Sequence, residues 1–340
     1  MKQAPGSQLK FQLKINTRIM ISTRGDKMKI KPLLATIYFC FGVFLFAETN
    51  ISGKIFYDYT RNLDNGGNAF NVRRGYLTYV NNTNEDISYK ITYDMGNNSA
   101  GSEHTAFLKI AMVKYKTPLA DVTLGMQAMN MYKTMENTWG HRFIEKGTMG
   151  TYRLSPSADL GVGLSRGFGK LFTSLMITNG GGYKRIEDDN HKKFSLHAVY
   201  GQSKLHKEDG FNLGGSYSLE PYDVEDSNTE NINVVGVFGG YAGSGFRGGL
   251  EFDIKNDGDI RGQIISMYGT YEVSNKISVL GRLDQVDLNA SNSGDGVQAI
   301  IVGLHRSLGK GAIIAPTIRI STPEDGKSEN IFVLNFEFKF

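Results

Sequence analysis

From residue 48 onward the chain alternates apolar and polar positions with a period of two. Over 246–255, Phe246, Gly248, Leu250, Phe252 and Ile254 interleave with Arg247, Gly249, Glu251, Asp253 and Lys255. At the C-terminus, Phe332, Leu334, Phe336, Phe338 and Phe340 interleave with Val333, Asn335, Glu337 and Lys339. A period of two puts each set on one face of an extended strand. The pattern predicts sixteen such segments: 50–60, 68–80, 86–95, 105–116, 120–130, 156–166, 170–178, 192–202, 210–219, 230–240, 245–255, 262–273, 276–286, 297–307, 312–321 and 330–340. The segment 230–240 is the least regular. At about 9–13 residues, the strands exceed the 5–6 usual in soluble sheets and suit a tilted bilayer crossing.

The connections carry separate information. After even-numbered strands they are short, as at 117–120, 167–170 and 308–311; after odd-numbered ones they are usually longer and polar, as at 60–69, 179–191, 220–231 and 287–296. Short turns at one end and long polar loops at the other are the asymmetry of an outer-membrane barrel, with the short turns on the periplasmic side. Lipid offers no partner to an open sheet edge, so the sheet must close, pairing 50–60 with 330–340. The expected class is therefore all-β, a transmembrane antiparallel β-barrel of about sixteen strands. Tyr57, Tyr79, Tyr115, Tyr217, Tyr241 and Tyr271 stand where interfacial girdles belong. The competing reading is a soluble secreted β-sandwich, whose strands seldom run this long.

The first 47 residues differ. They hold 8 Lys+Arg and 1 Asp, against 38 Lys+Arg and 34 Asp+Glu in the whole chain, so the remainder carries 30 basic and 33 acidic residues. Sixteen uncharged residues, 32–47, follow Lys27, Lys29 and Lys31. This is the layout of a secretory signal peptide, with cleavage expected after Ala47. The alternative is a retained inner-membrane anchor, although the run is shorter than the ~20 residues a spanning helix needs. Translation from Met28 instead of Met1 would account for the unusual 1–27. The expected organisation is an N-terminal extension and signal peptide at 1–47, followed by a barrel domain at 48–340. Cys40, the single cysteine, falls in the first part, so 48–340 can build no disulfide, thiolate metal centre or cysteine nucleophile. With 41 Gly but only 7 Pro and no Gly-X-Y period, collagen and Pro-rich disorder are excluded.

Several segments carry a likeness: NAFNVRRGYLTYV with NEDISYKITYDM, VTLGMQAMNMYKTMENTWGHRFIEKG, SLMITNGGG, VLGRLDQVD and the terminal NFEFKF. Together they resemble Gram-negative outer-membrane porins, closest to the phosphate- and anion-selective family and its uncharacterised relatives. The resemblance implies an outer-membrane location and passage of ions and small hydrophilic solutes. It also implies a homotrimer surrounded by outer-membrane lipid. The final Phe340 would close a last strand read by the β-barrel assembly machinery. It further implies that a long extracellular loop folds inward to narrow the pore. The longest connection, 131–154, follows the fifth strand and contains the only tryptophan, Trp139.

Sixteen strands enclose a lumen too wide for side chains to fill, so a water channel is the physical expectation. Strand parity selects its lining: Arg73, Lys109, Asp159, Arg247, Glu251, Asp253, Arg282, Asp284, Arg319 and Glu337 stand opposite the apolar registers. A bare Arg on the lipid face at mid-depth costs about 2–4 kcal/mol, which is why charge reports register. Arg73 faces the lumen if Val72 and Tyr76 face lipid, and Arg74 then needs an interfacial place. On the 131–154 loop the candidates are Lys133, Glu136, His141, Arg142, Glu145 and Lys146. Its acids facing basic wall groups would set a transverse field, unless Glu136 and Glu145 only hold the loop through Arg142 or Lys146. No catalytic motif, cofactor signature or metal-ligand cluster is present, and no basic tract suits nucleic acid. Ser195 and His197 share one strand face and imitate half of an esterase site, so a barrel hydrolase is the alternative function.

Overall fold

The computed structural model describes residues 48–340 apart from 98–102, 188 and 225–227; the expected signal segment lies outside the described residues. The strands are β1 (Glu48–Asn62), β2 (Asn68–Asn82), β3 (Ile87–Asn97), β4 (His104–Lys116), β5 (Asp121–Ala128), β6 (Ala158–Phe168), β7 (Leu171–Thr178), β8 (Lys193–Gly201), β9 (Gly210–Val224), β10 (Asn228–Gly243), β11 (Phe246–Asp257), β12 (Ile260–Ser274), β13 (Ile277–Asp287), β14 (Val297–Gly309), β15 (Ala312–Pro323) and β16 (Glu329–Lys339). Each pairs antiparallel with its sequence neighbours, and β1 pairs with β16 to close a sixteen-stranded barrel.

β12 shows the alternation at its clearest. Ile264, Ser266, Tyr268 and Thr270 are buried inside, whereas Ile265, Met267 and Tyr271 are exposed on the outer face. Tyr79, Tyr115, Tyr241 and Tyr271 are exposed near the short-turn ends of their strands, as an aromatic girdle requires. At the seam, Gly53 N–H donates to the Phe340 carbonyl at 3.0 Å and Phe340 N–H donates back at 3.2 Å. The Phe340 ring lies where a Gly53 side chain would be: a Cβ there would come within 2.2 Å of it. Gly53 therefore leaves room for the C-terminal aromatic at the closure.

Two connections depart from the sequence reading. The polar stretch 220–231 is expected as a loop, yet β9 runs to Val224 and β10 starts at Asn228, with Glu230 opposite Tyr222. Ladder hydrogen bonds continue there without an apolar face. On the short-turn end, 202–209 is long and buries Leu205 at 3% exposure.

Two β-bulges change the register of the inner face. Phe56 pairs with Arg74 but Tyr57 pairs with Val72, so Arg73 is an extra residue in β2. Thr92 pairs with Ile110 but Tyr93 pairs with Leu108, so Lys109 is an extra residue in β4. A bulge lets two consecutive side chains share one face. Arg73 and Arg74 thus both turn inward, which corrects the interfacial placement of Arg74. Tyr76 also faces inward, while Val72 faces out.

Candidate pore constriction

The connection between β5 and β6 folds into the barrel. It contains α1 (Lys133–Trp139) and α2 (Thr148–Thr151). Gly140 ends α1 in the left-handed region at φ 74, donating its N–H to the Glu136 carbonyl, a conformation that suits glycine. Met131, Tyr132, Met135, Met149 and Leu154 pack on Val199, Val234, Phe238, Ile264 and Val286 of the wall. Further on, Trp139, Phe143 and Ile144 pack on Phe56, Tyr268, Leu280, Ile301 and Ala315. Trp139 is 1% exposed. The irregularity of 230–240 has its explanation here: Val234 and Phe238 are inward apolar residues covered by the loop.

Polar contacts fix the same face. Tyr268 donates to the Met135 carbonyl at 3.2 Å, Thr148 to Glu251 at 2.9 Å, and Tyr152 to Asp284 at 3.0 Å. Arg282 forks onto Asp284 at 2.9, 3.0 and 2.7 Å and reaches the Lys146 carbonyl. Arg247 donates to the Trp139 carbonyl at 3.2 Å. Arg319 holds Glu145 at 2.9 Å and also bonds the Ile144 carbonyl. Five predicted lining residues (Arg247, Glu251, Asp253, Arg282 and Asp284) thus face inward beneath the loop rather than toward open water. Asp159 serves the neighbouring connection, accepting from Gly180 N–H at 2.6 Å. Glu337 pairs with Lys339 at 2.7 Å. Ser195 and His197 are loop anchors too: Ser195 bonds Asn130 at 2.8 Å, and His197 bonds Thr134 at 3.0 Å and Ser216 at 2.8 Å.

The opposite side, toward β1–β4, stays open. A cavity of about 390 Å³ lies between loop and wall, lined by Arg73, Arg74 and Asn71 on one side and Arg142, Glu145 and Lys146 on the other. The carboxylates here are buried within ion pairs. Asp58, 1% exposed, holds Arg73 at 3.5 Å; Asp94, 0% exposed, holds Lys109 at 3.1 Å and Arg74 at 3.7 Å. Tyr183, from the β7–β8 connection, donates to Asp94 at 2.7 Å, so a second connection also reaches this wall. The same wall continues toward the short turns with Lys54 and Lys90, inward by register, near Lys133 of the loop.

The loop carboxylates do not face the wall as a free acidic edge. Glu136 is bound by Lys133 at 2.8 Å and Arg142 at 3.3 Å, and Glu145 by Arg319. Burial pushes Glu136 up, but the Lys133 and Arg142 charges outweigh it and hold its carboxyl below the ordinary range. Burial likewise opposes ionisation of Glu145, yet Arg319 and the Lys146 N–H leave it low. Lys146 is pushed down to about 8 by burial, with Arg142 and Arg74 adding repulsion. The loop acids are thus held in ion pairs, Glu145 by the wall cation Arg319, and Glu145 lines the aperture together with Arg73, Arg74, Arg142 and Lys146. Arg74, Asp94 and Tyr183 were missed by parity. The adjacent Arg73–Arg74 pair was the available signal, since two consecutive charges on a membrane strand require a bulge or a water interface.

No family model matches the sequence, and no curated protein matches it. The fold does match solved outer-membrane channels. OmpF of Salmonella typhi is 12% identical over 86% of this chain and 97% of its own, with a TM-score of 0.67. An anion-selective porin from Comamonas acidovorans is 10% identical over 86% of this chain and 100% of its own, with a TM-score of 0.67. The outer membrane channel DcaP of Acinetobacter baumannii is 13% identical over 86% of this chain and 97% of its own, with a TM-score of 0.63. This chain thus has the closed, sixteen-stranded fold of Gram-negative outer-membrane porins.

Proposed function

We propose that this protein is an outer-membrane porin: a passive, water-filled channel for ions and small hydrophilic solutes that favours anions. The carrying observation is the asymmetry of charge at the aperture. Arg73, Arg74, Arg142 and Lys146 border it against a single acid, Glu145, which Arg319 neutralises, while Asp58, Asp94 and Glu136 are sunk in ion pairs. Fixed cations beside a narrow water column attract anions and repel cations, and the low-dielectric wall focuses that field. The loop, held on one side of the lumen by two apolar clusters, is the constriction in this reading. No catalytic step is involved: Ser195 and His197, the nearest approach to a hydrolase pair, are spent on holding the loop. The working form is a homotrimer in outer-membrane lipid, and Phe340 at the seam is the assembly signal.

The test is a planar bilayer recording under a salt gradient. Stepwise conductance with a reversal potential of anion sign supports the reading, and triplet steps support the trimer. A cation-signed potential overturns the selectivity. Silent bilayers together with esterase activity overturn the channel.

A further inference from the structure

The foot of the loop meets a group of basic side chains that neither the channel nor its selectivity requires. His141 lies just past α1, and its Nε2 is 2.8 Å from the Thr270 hydroxyl and 3.3 Å from an Arg247 guanidinium nitrogen. Its ring is 4.9 Å from Trp139 and 5.3 Å from His305 of β14. The inward-curled 202–209 turn brings His206 to the same point: a Cβ on Gly140 would come within 3.2 Å of the His206 Cβ and 2.6 Å of Arg247. The turn and the foot are joined by Asn137, which donates to the Ser203 carbonyl at 3.3 Å. Arg247 has only donors, so the Nε2 facing it must present a lone pair, and His141 is neutral there. Nδ1 of His141, Nδ1 of His206 and Nε of Arg247 are buried without partners.

We propose that this foot is an acid-operated latch: protonating His141 and His206 against Arg247 frees the loop foot and the 202–209 turn from the wall and widens the channel. A proton on Nε2 would set donor against donor and like charge against like charge in a dry contact. The surrounding charges do not relieve it. Lys54, Lys133, Lys207 and Lys339 add positive charge from β1, α1, the turn and β16. The facing acids are Glu272 of β12, which is exposed, and Glu337 of β16, which is bound to Lys339. Tyr268 of β12 also faces the cluster and donates to the Met135 carbonyl. Among the described residues no carboxylate forms an ion pair with Arg247, His141 or His206. Burial, then Arg247 and His305, hold His141 well below the ordinary imidazole value, and burial with Arg247 pushes His206 down to about 4. The sign follows. Both states are neutral above about pH 6.5, and below it the released state binds protons that the docked state refuses. Each further unit of acid favours release by up to about tenfold per histidine.

This inference rests on the channel reading for its effect on flow, but Trp139, the only tryptophan, reports the latch without it. The experiment follows Trp139 emission of the detergent-folded protein from about pH 7 to about pH 4, with bilayer conductance measured in parallel. High salt, at which the Debye length is about 3 Å, removes surface-charge effects from the conductance. A red shift accompanied by higher conductance in acid supports the latch. Both should vanish in the H141N/H206N double variant. Arg247→Met, which removes the charge the protons are set against, should shrink the acid-induced shift or move it to lower pH, so that variant tests the latch even if the double variant does not fold. Emission unchanged in acid, a shift retained by the double variant, or conductance that falls as emission shifts overturns it. A histidine-dependent shift in a protein that conducts at no pH would uphold the latch and sink the porin reading instead.

Discussion

The two halves of the inner wall follow the same alternation but do opposite things with it. From β8 to β15 the inward set includes Val199, Val234, Phe238, Ile264, Leu280 and Ile301, and its cations Arg247, Arg282 and Arg319 each bond the loop backbone. From β1 to β4 the inward set includes Arg73, Arg74, Lys109, Asp58 and Asp94, with the cations outermost. One half is a docking surface and the other, apart from Phe56 beneath Phe143, is a water interface. The difference shows that inward in a large barrel is an orientation rather than an environment: what covers the position decides its chemistry.

That contrast can be broken most forcefully on the docked side. Trp139→Ala removes a fully buried ring joining Tyr268 and His141, a change that costs about 3–5 kcal/mol in a core. The cost should fall on loop docking and spare the barrel, giving larger, noisier conductance with unchanged heat-modifiable gel mobility. If the barrel itself is lost, the two halves are not separable.

On the open side, replacing Arg73, Arg74 and Lys109 together with serine leaves Asp58 and Asp94 unpaired at the wall. The reversal potential should move from anion toward cation sign, most strongly at low salt where the Debye length reaches about 30 Å at 0.01 M. The E136Q/E145Q variant, by contrast, should change selectivity much less and loosen the loop more, because each carboxylate is already bound to neighbouring cations. A selectivity change as large as that of the triple variant would refute the separation of roles.

The smallest effect concerns pH above neutrality. Lys146, pushed down to about 8, is charged below that value and neutral above it. Anion preference should therefore weaken modestly as pH rises through about 8, and K146R should remove the dependence. Reversal potentials at pH 7 and 9 decide it.

The sequence by itself determined the strands, their even number and the closure of β1 on β16, while the inward course of the long loop was implied only by the resemblance. A period-two pattern is local, and lipid forbids an open edge, so neither needs tertiary information. It also singled out Trp139, Arg282, Arg319, Glu136 and Glu145. Only the tertiary structure decided what those residues face. Two bulges reversed the parity of half of β2 and β4, bringing Arg74 inward beside Arg73, and the Arg73–Arg74 pair alone leaves a bulge and a water interface equally open. Whether Glu136 and Glu145 meet water or a cation depended on where the loop came to rest. That was settled by the fit of Met131, Met135, Trp139 and Phe143 against wall positions more than fifty residues away along the chain, a contact that no local pattern encodes.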